Sequence, residues 1–86
     1  MRLGLRLERN PVTDRALLSY ELPHGGPVSC TVRDAAGREV ARLLDATQAA
    51  GRHTVAWDAA DAAPGVYFLE LATGGTASAA RLVKGR

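Results

Sequence analysis

The chain has 86 residues, eleven Lys or Arg against nine Asp or Glu for a net charge of +2, and a hydrophobic fraction of 47%. That length supports one small domain, residues 1–86, with burial only just sufficient for independent folding, and much of the apolar content is alanine, so the core must rest on few large side chains. The cations are scattered among the acids rather than gathered in a stripe, which argues against nucleic acid as a partner; one cysteine excludes an internal disulfide or a multi-cysteine metal site; and no apolar run is long enough to cross a bilayer as a helix.

From the N-terminus, "MRLGLRLERNP" breaks its leucines with charge, which fits neither a membrane helix nor a signal peptide. Any export leader is therefore expected on a parent chain, upstream. "ALLSYEL" alternates, with Ala16, Leu18, Tyr20 and Leu22 on one face, and predicts a strand ending at Pro23. "HGGP" (24–27) is turn chemistry, and Val28, Cys30 and Val32 then alternate with polar residues in a second strand. Cys30 reads there as a small buried hydrophobe.

Asp34 and Gly37 bracket a hairpin turn in which glycine supplies a left-handed residue. "REVARLL" is taken as the return strand, although the spacing of Val40, Leu43 and Leu44 also suits a helical turn. "DATQAAG" is expected to be a loop, "RHTVAWD" a strand with Val55 and Trp57 inward, and "AADAAPG" a turn. "VYFLELA" is apolar on nearly both sides and predicts a central strand with both faces covered. "TGG" turns the chain into the last strand, "TASAARLVK". Regular short strands with Gly/Pro punctuation predict an all-β fold: a single small immunoglobulin-like antiparallel β-sandwich of about seven strands.

The pattern offers little for catalysis. His24 and His53 are distant in sequence and read as surface histidines rather than metal ligands. Ser19, Ser29 and Ser78 lack a nucleophile-elbow context. Gly25-Gly26 and Gly74-Gly75 precede strands rather than helices, so they do not cradle phosphate. Asp34, Asp45, Asp58 and Asp61 stand at turns, where aspartate hydrogen-bonds its own backbone; calcium at Asp58 and Asp61 is an unspecific alternative. The expectation is a non-enzyme that needs no metal or other cofactor.

Taken in order, Asn10-Pro11, Leu22-Pro23, Asp34 through Arg38, Gly51-Arg52-His53 with Trp57, Pro64-Gly65-Val66-Tyr67 and Arg81 to Lys84 resemble the C-terminal sorting domain of type IX secretion cargo. They equally resemble the immunoglobulin-like domain named after the flagellar hook-capping protein. The resemblance covers about residues 5–84, and the order and spacing of the motifs carry it rather than any one of them. It implies a module that directs a passenger domain on the same parent chain through outer-membrane secretion machinery, by way of the periplasm, to the cell surface or medium. By resemblance, Pro64, Gly65, Tyr67, Arg81 and Lys84 take part in recognition, and Asn10, Pro11, Asp34, Gly37 and Trp57 build turns and core.

Each of these residues also has a purely architectural reading. Gly65 is a turn glycine, Tyr67 a core aromatic with its hydroxyl at the rim, Trp57 the core anchor, and Lys84 an exposed terminal lysine. The last strand, as an edge, is a template for pairing with a partner or, through self-association, with a second copy. The alternative function is a structural or adhesive module of an extracellular or flagellar assembly. A small hydrolase or a carbohydrate-binding module ranks last, because exposed aromatics are scarce.

Overall fold

The computed structural model describes residues 5–7 and 14–85. Seven strands follow one another: β1 (Arg6–Leu7), β2 (Arg15–Leu22), β3 (Gly26–Asp34), β4 (Glu39–Gln48), β5 (Gly51–Asp58), β6 (Gly65–Thr73) and β7 (Thr76–Lys84). They form two antiparallel sheets, ordered β1-β2-β5 and β4-β3-β6-β7. The chain crosses between sheets after β2, β4 and β5, the crossing pattern of an immunoglobulin-type sandwich. Among the described residues there is no helix.

Strand alternation builds the core directly. Ala16, Leu18, Tyr20 and Leu22 of β2 and Trp57 of β5 face Val28, Cys30 and Val32 of β3, Tyr67, Leu69 and Leu71 of β6, and Leu82 of β7. Burying each leucine contributes about 1.5–3 kcal/mol, and five leucines are fully enclosed. Trp57 meets Tyr67 edge to face, ring centroids 5.0 Å apart, a geometry that aligns the positive rim of one ring with the negative face of the other. Cys30 is enclosed, and burial pushes its thiol up to about 11, so it packs as a hydrophobe.

Several expectations are corrected. β4 extends through the segment expected to be a loop, because Ala46, Thr47 and Gln48 pair with Val28, Pro27 and Gly26; only Ala49 and Ala50 connect it to β5. Gly26 and Pro27 accordingly open β3 instead of ending a turn, and the start of a strand is one of the places where proline fits without breaking a ladder. β1, for which no strand was drawn, pairs Arg6 and Leu7 with Ser19 and Leu18.

The helical spacing in "REVARLL" also has a strand explanation. The β3–β4 register shifts twice, leaving Val40 and Leu43 without opposite partners. Each bulge inserts one residue and flips the phase of those that follow. Ala41 and Leu44, three positions apart, therefore both pack against the core, while Val40 is 47% exposed.

Val55 is half-buried rather than enclosed, since β5 is an edge strand hydrogen-bonded only to β2. β6 is internal to its sheet, but its second face is not covered by a third layer: Val66, Phe68 and Glu70 lie half-buried on the outer surface of a two-layer fold.

Candidate functional site

The residues singled out by resemblance converge on one pole of the sandwich. In the β6–β7 register Gly65 lies opposite Lys84, Val66 opposite Val83, Tyr67 opposite Leu82 and Phe68 opposite Arg81. The β3–β6 register sets Asp34 opposite Tyr67. The β3–β4 turn, the start of β6 and the end of β7 therefore share this pole, and the Trp57 ring lies against Tyr67 beneath it. Asn10 and Pro11 lie outside the described residues.

Local hydrogen bonds hold the pole. Gly37 N–H donates to the Asp34 carbonyl at 2.9 Å, with Gly37 at φ +87°, a value that L-residues with a Cβ rarely adopt. One carboxylate oxygen of Asp34 accepts from the backbone N–H of Ala36 and of Arg38, at 3.0 and 2.9 Å, and the other accepts from Arg38 Nε at 3.1 Å. The Arg38 backbone donor, foremost, holds this carboxyl below the ordinary carboxylate value. Tyr67 is buried, and its hydroxyl donates to the Ala63 carbonyl at 2.7 Å, fastening the loop that carries Pro64 onto β6.

The two basic residues of the set part company. Arg81 is exposed on the outer face of the four-stranded sheet, beside Phe68. Lys84, three residues on, has the opposite parity and points inward with Leu82. It is only 5% exposed, correcting its reading as an exposed lysine. Its methylene stem covers the end of the core while Nζ donates to the Gly85 carbonyl at 3.1 Å, the arrangement by which long basic side chains bury an apolar stem and keep their charge at the rim. Arg81 and Lys84 do not form one cationic patch.

His53 also departs from its surface reading. It is half-buried, stacked on Tyr20 with centroids 5.5 Å apart, and its Nε2 lies 2.8 Å from the Ala49 carbonyl. The Tyr20 hydroxyl donates to Gln48 Oε1. Together these contacts clamp the two-residue crossover between the sheets, which is architecture rather than a ligand site. Among the described residues, no three metal-ligating side chains converge. The Asp58 carboxylate accepts from Ala60 N–H at 3.2 Å, a local turn bond.

What sequence reasoning missed is the charge pairing on the outer face of the four-stranded sheet. Arg42 reaches Glu39 at 3.3 Å and Asp45 at 3.7 Å, and Arg33 reaches Glu70 at 3.8 Å. Such exposed pairs add little stability, but they neutralise the β3–β4 half of the face. On the β6–β7 half lie Val66, Phe68, Val83, three alanines and Arg81. Period-two parity put these residues on one face; the pairing of neighbouring charges depends on which strands are adjacent. Surface hollows lie beside Gly74-Gly75, along Ser19, Glu21, Arg52 and Thr54, and, at the Trp57 end of β2 and β5, along Asp14, Arg15, Ala56, Asp58 and Ala60.

Comparison with known proteins agrees with the geometry. No curated protein sequence matches the chain closely enough for comparison. The family model of the secretion system C-terminal sorting domain matches residues 10–85, nearly the whole chain, and takes in every motif from Asn10-Pro11 to Lys84. The chain belongs to the family of secretion system C-terminal sorting domains, the sorting tails of type IX secretion.

Proposed function

We propose that this domain acts as the address that carries a passenger, joined to it on a parent chain, through the periplasm and an outer-membrane type IX machine to the cell surface or the medium. The match over residues 10–85 carries this reading. The gathering of the exposed Pro64, Gly65 and Arg81 at one pole supports it, because a receptor reads residues that a fold presents together. On this reading the domain does no chemistry: the rigid sandwich holds its recognition surface in one geometry, and Tyr67, Trp57 and Lys84 serve by keeping that pole folded.

The test is to fuse the chain behind a periplasm-targeted reporter in a bacterium that owns the machine. Reporter at the surface or in the medium is the expected result; a folded fusion retained in the periplasm overturns it. Deleting the last strand is a poor control. β7 pairs with β6 over nine residues and places Leu82 and Lys84 in the core, so its removal unfolds the sandwich rather than erasing a signal.

A further inference from the structure

The β6–β7 hairpin turns through Gly74 and Gly75, at φ +52° and +85°, with Thr73 opposite Thr76. In a two-residue hairpin the residues flanking the turn exchange both backbone hydrogen bonds, and bonded pairs then alternate along the ladder. The peptide groups of Thr76, Ser78, Ala80 and Leu82 are thus spent on β6. Val83, which has a partner of its own, faces the other way, as do the peptide groups of the three residues before it on that side, Ala77, Ala79 and Arg81. All three residues are exposed, and no described strand pairs with β7 on that side.

The opposite margin of the four-stranded sheet is guarded. β4 carries two bulges, and Arg42 is tied between Glu39 and Asp45; bulges and charge are how edges resist pairing. The flank where β4 meets β5 is crossed by the chain itself at Ala49-Ala50. On the β7 flank the described part of the overlying sheet offers the two-residue β1. β7 has no proline, an unbroken register, and alanines at 77 and 79 that leave room for larger neighbours.

Charge selects the occupant. Of the three arginines on this outer face, Arg33 and Arg42 have carboxylate partners. Arg81 has none among the described residues, and the described acids on the face, Glu39, Asp45 and Glu70, are already engaged. We propose that the edge from Ala77 to Arg81 accepts an extended strand from the export machinery, with a carboxylate side chain of that strand paired to Arg81. This rests on the sorting reading and names the chemistry of its receptor: backbone hydrogen bonds from Ala77, Ala79 and Arg81 for affinity, and an acidic residue beside Phe68 and Arg81 for register.

The same export assay tests it with three variants, each checked for folding by circular dichroism and melting temperature. Ala79→Pro removes an edge N–H that no described strand uses, a position at which proline is tolerated. Arg81→Glu reverses the charge and Arg81→Lys keeps it. Export is expected to fall at least tenfold for Ala79→Pro and Arg81→Glu and to persist for Arg81→Lys. Parental export by either Ala79→Pro or Arg81→Glu, while folded, overturns the edge-pairing proposal and leaves the address reading standing. Should Ala79→Pro not fold, Arg81→Glu alone decides. Retention of the parent fusion in the periplasm removes the address reading and this proposal with it.

Discussion

Lys84 shows how one side chain can look like a signal and act as a structural part. Because its stem seals the core, Lys84→Ala is expected to lower stability by roughly 1–2 kcal/mol. Lys84→Met, which keeps the stem and discards the charge, should recover most of that loss in urea unfolding. Asp34 acts through charge instead. Its folded-state value lies below the ordinary 3.8, chiefly through the Arg38 backbone N–H, so folding favours the carboxylate. That contribution is complete above pH 3.8 and is lost as pH falls through the lower folded value. Asp34→Asn keeps acceptors for the turn but not the titration, so melting temperatures of parent and variant should converge as pH drops from 6 toward 2.

At the scale of elements, the hairpin between β6 and β7 places the candidate recognition surface. Its two glycines both have φ in the left-handed region, with open space where a Cβ would stand, so conformation and not crowding sets their tolerance. Gly74→Asn, at the first central position where asparagine is favoured, should leave stability within about 0.5 kcal/mol. Gly75→Val should cost roughly 1–2 kcal/mol, because a β-branched residue is strained at positive φ. Thermal unfolding of the two variants checks the contrast. The bulged β4 shows the opposite use of local irregularity: two inserted residues bend one margin away from pairing while keeping Ala41 and Leu44 on the core.

For the whole molecule, the two sheets differ in how firmly each strand is held. β3 and β6 are the only described strands with a full neighbour on both sides in the larger sheet, and they carry Val32, Leu69 and Leu71 into the centre of the core. Native-state hydrogen exchange should find its slowest amides in β3 and β6. It should find faster exchange at the edge-facing amides of Ala77, Ala79 and Arg81. Equal protection of the edge-facing and β6-facing amides of β7 would contradict the hydrogen-bond parity assigned to that strand.

The sequence by itself determined the layered architecture and most of the core. Alternation has only two phases, so Leu18, Tyr20, Val32, Trp57, Tyr67 and Leu69 could be assigned to one face from spacing alone, and glycine and aspartate chemistry marked the turn at Asp34–Gly37. The ordered motifs likewise point to the sorting family without any tertiary information. Only the tertiary structure decided matters that depend on which strands lie side by side. Val55 is half-buried because β5 ended at an edge, and β4 absorbed the expected loop because β3 offered partners as far as Gly26. Lys84 went inward by parity, and its near-complete enclosure depends on how the layers pack over it, which no local pattern encodes. Arg81 stayed without a carboxylate because Glu70 found Arg33 across the sheet, a choice made by neighbours about forty residues apart in sequence and set only when β3 docked on β6.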